Sequence, residues 1–263
     1  MKAKKSLGQH FLTSLKVVGD IVRAGNIKKG DLVLEIGPGK GVLTRKLLFL
    51  AKKVIAIDKD RELVFFLQEK FKGEIESKRL KLIHQDILNY SPPSYPYKLV
   101  ANIPYYITGE IFRKFLSSNH QPKSMILLVQ KEVARRIMAH DGKESILSIS
   151  IKAYGQPKYL GVVKAKNFKP EPKVDSAILL IDKISKDFFQ KMGEQKFFSI
   201  LKIGFAHKRK MLIGNLGKIA SRKKLEEIFE KCNLPKKIRA EDLSPENWKS
   251  LFLNIFTRGK SQT

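Results

Sequence analysis

Asn102-Ile103-Pro104-Tyr105 is the stretch of this 263-residue chain whose residue types most directly suggest a reaction. The exocyclic amine of adenine is a poor nucleophile, because its lone pair is delocalised into the ring. The Asn102 side-chain oxygen and a nearby backbone carbonyl, that of Ile103 or Pro104, would localise that lone pair by accepting both amine hydrogens. Pro104 fixes its own φ and stiffens the loop. Tyr105 offers a face on which a base taken out of its stack can lie. The same face favours the positive charge that develops when the amine takes a methyl group from a sulfonium. No proton has to leave before attack, so the site needs no strong base. An ordinary strand-to-loop turn could hold the same four residues, so the tetrapeptide alone does not decide.

Gly37-x-Gly39-x-Gly41 follows a short apolar run and reads as a loop where backbone passes close to a ligand. A dinucleotide fingerprint would need its third glycine at position 42, which is Val. The tighter spacing suits a ligand without a pyrophosphate, and S-adenosylmethionine fits. Asp58 ends the next apolar run, 17 residues beyond Gly41, where an acid can accept hydrogen bonds from ribose hydroxyls. Asp86 ends the run after that and could accept from an exocyclic amine, such as that of the cofactor's adenine. Singly, each has a plainer reading: a tight turn for the glycines, a helix N-cap for Asp58. Asp60 reads as a cap or a solvated acid. Recurrence at successive strand ends is what favours a cofactor site. The five histidines, at 10, 84, 120, 140 and 207, show no ligand spacing, so no metal is expected.

An alternating pattern must position these residues. Segments 32–36, 54–57, 80–83, 98–101 and 125–129 read as strands separated by helical patterns. That alternation argues for βαβ units and a mostly parallel sheet. Ligands of such sheets bind beyond the C-terminal strand ends, where the polar and glycine-rich residues fall. Segments 145–160 and 176–181 look β-like, as an antiparallel edge. Beyond Lys183 the chain is helical and basic. The expectation is α/β, with a catalytic domain over 1–183 and a small all-α domain over 184–263.

Lys and Arg number 52 against 25 Asp and Glu, a formal net charge of +27. An enzyme for a small neutral metabolite needs no such excess. Self-repulsion destabilises the compact state, so a polyanionic partner is expected: RNA, DNA or an anionic membrane surface. The charge is spread, with 18 basic and 8 acidic residues over 184–263 and 34 and 17 over 1–183. A hydrophobic fraction of 43% excludes a disordered basic tail. Cys232 is the one cysteine, so no internal disulfide is expected, and the setting reads as reducing and cytoplasmic. No apolar run approaches the ~18 residues of a membrane span. The basic start, Met1 to Lys5, runs into Gly8, Gln9 and His10 where a secretory segment would turn apolar. Lys208-Arg209-Lys210 and Arg222-Lys223-Lys224 suit phosphate contacts, which position RNA without reading its bases; a single such run is usually a solvated face. Phe197, Phe198, Phe205, Phe229, Trp248, Phe252 and Phe256 read as helix core.

Taken together the motifs resemble the ribosomal RNA adenine N6-dimethyltransferases, most closely the small-subunit, kasugamycin-sensitivity type. The resemblance spans nearly the whole chain: Lys5-Ser6-Leu7-Gly8-Gln9-His10-Phe11-Leu12, Glu35 to Gly41, Gln85-Asp86-Ile87, Asn102 to Tyr105 and Gln130 to Ala134, then Phe168 to Ser176, Phe205 to Lys210 and Arg239 to Pro245. It implies a Rossmann-like methyltransferase domain followed by a helical, basic rRNA-binding domain. It implies S-adenosylmethionine as methyl donor, no metal, no membrane and no disulfide partner. The partner would be small-subunit rRNA in an assembling subunit, met by a monomer. The targets would be two adjacent adenines near the RNA's 3′ end. His10 and Leu12 would contact the cofactor, Gly37 and Gly39 would lie beside it, Asp58 on its ribose and Asp86 near its adenine. Asn102 would sit between cofactor and target amine, with Tyr105 and Phe168 stacking on the flipped base. By residue type alone Phe168 reads as core, although flanking Pro170 and Pro172 suit an exposed ring on a stiff loop. The chain departs from the family pattern at His10, where Asn is usual, and at Asp58, where Glu is usual.

Two rival readings remain from the sequence. The related large-subunit adenine methyltransferases share the core motifs, and the segments at Phe205 to Lys210 and Leu243 to Pro245 favour the small-subunit type. A non-catalytic RNA-binding assembly factor or transcription factor on the same fold is the other, and the intact Asn-Ile-Pro-Tyr and glycine turn argue against it.

Overall fold

The computed structural model describes residue 4 and residues 7–256; Lys5, Ser6 and the basic start at 1–3 lie outside the described residues. The chain forms two compact units. The first runs up to Arg135 and adds Gly155–Ile184; the second combines Arg136–Tyr154 with the chain from Ser185 onward.

In the first unit, β1 (Phe11–Leu12) precedes helix α1 (Leu15–Ala24), whose N-cap Ser14 accepts from the Val17 N–H. Strands β2 (Leu32–Ile36), β3 (Lys53–Asp58), β4 (Leu80–His84), β5 (Lys98–Asn102) and β6 (Ser124–Gln130) lie parallel. Helices α2 (Val42–Leu50), α3 (Arg61–Lys70), α4 (Lys72–Glu76) and α5 (Thr108–Leu116) connect or follow them, and α6 (Lys131–Met138) follows β6 across the division at Arg135. Strands β2 and β6 are buried almost end to end, as expected of parallel strands covered on both faces.

The segment read as β-like at 145–160 is a helix followed by a strand: α7 (Ile146–Tyr154), then β7 (Gln156–Val163). Ser145 and Ser148 decide this, each accepting the other's backbone N–H, at 3.1 and 2.7 Å. That reciprocal cap stabilises a helix start and overrides the β-branched isoleucines behind it. Strand β8 (Phe168–Lys169) pairs with β1, and β9 (Ser176–Asp182) joins the main sheet. The sheet order is β4-β3-β2-β5-β6-β9-β7, with β9 antiparallel to both neighbours. The edge is therefore β7, with β9 inside it.

The second unit is helical among its described residues. Besides α7 it holds α8 (Glu194–Gly204), α9 (Leu212–Asn215), α10 (Arg222–Lys231) and α11 (Pro245–Phe256). Phe197, Phe229, Trp248 and Phe252 form its core, while Phe256 is partly exposed. A Cβ at Gly204 would collide with the Trp248 indole, so glycine lets α8 and α11 meet closely. Lys208-Arg209-Lys210 lies exposed in the loop between α8 and α9, and Arg222-Lys223-Lys224 opens α10.

Candidate active site

From β2 the chain winds outward through β3 and β4, then returns to β5 on the other side of β2. A crevice opens at such a reversal. Pairing of Ile36 with Ala101 sets the following residues, Gly37 and Asn102, side by side. Pairing of Ile36 with Ile57 brings in Asp58. The resulting cleft of about 340 Å³ is lined by His10, Leu12, Gly37, Gly39, Asp58, Asp86 and all of Asn102 to Tyr105.

Gly37 needs its missing side chain: at φ +68° a Cβ would stand 3.0 Å from the Asn102 carbonyl oxygen. The Asp58 carboxyl is largely buried, and burial pushes it up to about 6, while its hydrogen bond from the Asp60 N–H pulls the other way. Asp86 caps a 3₁₀ turn, accepting the Leu88 N–H at 3.0 Å. Lys59 bonds its second oxygen at 2.8 Å and holds the carboxyl below the usual carboxylate range.

The Asn102 Nδ2 donates to the His10 carbonyl at 3.1 Å. A carbonyl can only accept, so the amide orientation is fixed and Oδ1 is left to accept from something else. The Pro104 carbonyl accepts the Ile107 N–H at 3.3 Å, whereas the Ile103 carbonyl has no such bond among the described residues. Of the two carbonyls the sequence left open, Ile103 is therefore the free one. The Tyr105 Oη and Ser176 Oγ lie 2.8 Å apart, and Thr108 Oγ1 donates to the Tyr105 carbonyl at 2.9 Å. The first bond holds the Tyr105 ring at its hydroxyl, and the second holds its backbone. Its neighbour His10 lies nearly parallel, 6.3 Å between centroids, with Nδ1 2.8 Å from the Pro170 carbonyl.

Phe168 is the exception among the expected site residues. It is 4% exposed, pairs with Leu12 across β8 and β1, and packs in the apolar core instead of lining the cleft. The ring expected to stack on a base is thus a core ring here. The residue-type reading, core, is the one the geometry favours.

Two side chains of the cleft, Glu35 and Tyr106, lay outside the sequence reading. Glu35, 1% exposed in β2, reaches the cleft wall with neither carboxyl oxygen hydrogen-bonded. Burial pushes it up to about 8, Asp58's charge adds to this, and the nearby Thr44 hydroxyl offsets part without reaching bonding geometry. An acid inside the run Leu32-Val33-Leu34-Glu35-Ile36 was the available signal. Asp60, read as a cap or a solvated acid, caps α3 by accepting the Glu62 N–H at 3.1 Å, and it is buried; it also accepts from Lys4 Nζ and Gln9 Nε2, both at 2.8 Å, and so ties the N-terminal segment to the Asp58 loop. Tyr106, doubling Tyr105, lines the cleft and is 63% exposed.

The buried orphan acid Glu35, the glycine-lined floor and the acids at successive strand ends suit a ligand with a cationic amino-acid end and a nucleoside end. With Asn102 to Tyr105 beside it, this is the architecture of a Rossmann-like S-adenosylmethionine-dependent methyltransferase acting on an amine. Residues 1–256 match the ribosomal RNA adenine dimethylase family, and the chain belongs to that family. It is 43% identical over 260 residues to "Ribosomal RNA small subunit methyltransferase A" of Dehalococcoides mccartyi, covering 96% of this chain and 88% of that one. The crystal structure of a dimethyladenosine transferase from Plasmodium falciparum superposes with TM-score 0.82 at 28% identity, over 93% of this chain and 96% of that one. That of the 23S rRNA methyltransferase ErmE gives 0.79 at 26%, over 93% and 99%.

Proposed function

We propose that this enzyme dimethylates N6 of two adjacent adenines near the 3′ end of small-subunit ribosomal RNA, on an assembling subunit. S-adenosylmethionine, when bound, supplies an electrophilic methyl group on a sulfonium. Glu35 would hold its cationic amino-acid end, Gly37 and Gly39 would let it lie against the backbone, Asp58 would accept from its ribose and Asp86 from its adenine. His10 and Leu12 would close the same cleft from the N-terminal segment.

The observation that carries the reading is the fixed Asn102 amide. With Nδ2 committed to the His10 carbonyl, Oδ1 is preorganised to accept from the target amine. The Ile103 carbonyl is the second acceptor. Together they localise the amine's lone pair before attack, without removing a proton, and the Tyr105 face supports the charge that develops. After one transfer the methylated nitrogen is cationic and gives up one proton to water; the amine then keeps a single hydrogen, which either acceptor can hold while the second methyl is added.

The basic runs of the second unit support a role in gripping rRNA phosphates, and the sequence likeness to small-subunit enzymes favours that substrate over large-subunit RNA. No described helix is long and apolar enough to cross a membrane. A monomer working in the cytoplasm fits the single cysteine and the RNA target. The test is transfer of labelled methyl groups to small subunits lacking the modification, followed by mapping. Label on two adjacent adenines near the 3′ end is expected; label on large-subunit RNA alone would overturn the substrate.

A further inference from the structure

The outer surface of α2 and α3 carries features that the methyl transfer does not use. Phe65 and Phe66 on α3 are 53% and 40% exposed, and Phe49 on α2 is 75% exposed. Each ring has a cation over its face: Arg61 at 5.2 Å from the Phe65 centroid, Lys70 at 5.5 Å from Phe66, Lys46 at 5.4 Å from Phe49. Lys70 and Arg45 also converge on Phe71, at 5.6 and 5.4 Å. Lys70 Nζ donates to the Lys40 carbonyl at 2.6 Å, and the Lys40 ammonium sits 5.2 Å from the Phe11 ring in the cleft wall. The contacts therefore run without a break from Phe66 to the cleft.

These cations differ from others in the same unit. Lys59, Lys158 and Lys164 each pair with a carboxylate. Lys40, Arg45, Lys46, Arg61 and Lys70 pair with none among the described residues. Of the acids on α3, Glu62 is taken by Lys4 at 2.9 Å, and Glu69 precedes Lys70. Burial, and after it the neighbouring Arg45 charge, hold Lys70 below the usual lysine range. Unneutralised cations beside exposed flat rings match a partner that brings both anions and π-faces.

We propose that this surface is a platform for single-stranded RNA leading to the cleft, with bases on Phe65 and Phe66 and phosphates on Lys40, Arg45 and Lys70. Bases stack on aromatic side chains with little regard to sequence. A duplex keeps its bases stacked inside and would offer these rings nothing. The flexible Lys and Arg stems can swing from ring to phosphate as a base arrives. The proposal rests on the RNA-methylation reading above and locates one RNA contact of the catalytic unit.

The test uses the full chain, a fluorescently labelled single-stranded oligoribonucleotide of mixed sequence, and heparin as a polyanion without bases. Phe65→Ala/Phe66→Ala should weaken oligonucleotide binding at least about fivefold, the low end for losing one stacked base. Heparin and S-adenosylmethionine affinities should stay as in the wild type. Arg45→Gln/Lys70→Gln should weaken both polyanions and flatten the salt dependence for the oligonucleotide by about 1.4 in log–log slope, about 0.7 per phosphate. Wild-type oligonucleotide affinity in the Phe variant overturns the platform, as does an equal loss for heparin. Methyl transfer by the wild type is measured in parallel: its failure would strike the enzymatic reading, whereas unchanged RNA binding in the variants with normal transfer would strike this surface alone.

Discussion

Replacing Glu35 with Gln changes one atom in the wall of the cofactor cleft and removes a buried titratable group. Its carboxyl stands at about 8 in the folded protein against an ordinary 4.5. Because the folded value is the higher one, the neutral acid favours the fold, fully below about pH 4.5. That contribution is lost as the pH rises from 4.5 through 8. At about 1.4 kcal/mol per pH unit, the wild type should lose about 3 kcal/mol from this group by pH 7. Gln does not titrate, so the stability gap between variant and wild type should widen in the variant's favour by that order between pH 4.5 and 7, in denaturant melts without cofactor. Binding should then expose the other half of the linkage. A cationic ligand end favours the ionised acid, so the wild type should release about 0.9 proton per cofactor at pH 7, the fraction protonated at a value of about 8. Calorimetry in two buffers of different ionisation heat measures this, and the Gln variant should release none from this site. A gap flat with pH, together with equal proton release by both proteins, would refute the assignment of Glu35.

Cofactor affinity should carry a second pH dependence from Asp58: with its carboxyl at about 6, only about a tenth is ionised at pH 5, so binding should weaken by about tenfold more there in the wild type than in Asp58→Asn, read by titration. Ser176→Ala removes the bond to the Tyr105 hydroxyl, worth about 1 kcal/mol; turnover should fall about fivefold with cofactor affinity unchanged, and Tyr105→Phe should add little to it. Gly41→Ala places a Cβ 2.5 Å from the Phe71 ring at φ +77° and should destabilise the protein by about 1–3 kcal/mol in a thermal melt.

The parallel strands were legible because each is an apolar run closed by a polar or glycine residue, and burial on both faces makes that pattern hard to mistake. So were the acids Asp58 and Asp86, which sit at strand ends as the pattern implied. Helix α7 was not: Ile149 and Ile151 alternate with serines as a strand would, and only the reciprocal Ser145–Ser148 bonds show the helix start. Glu35 was hidden by its neighbours, since one acid in a strand says nothing of which wall it reaches until β2 and β5 are in register. Phe168 turned on a pairing with Leu12 more than 150 residues away, which no local pattern reveals. The Asn102 orientation likewise depends on His10, a contact between segments far apart in the chain.

The measurement that bears most directly on the proposed reaction compares wild type and Asn102→Ala on small subunits lacking the modification, counting labelled methyl groups per subunit and measuring cofactor affinity in the same preparations. Asn102 acts by a preorganised acceptor, whose loss is worth about 10²–10³ in rate at comparable sites. The wild type should approach four methyl groups on two adjacent adenines, while the variant transfers at least about a hundredfold more slowly and binds cofactor within a few-fold of wild type. Full transfer by the Asn102→Ala protein would contradict the account.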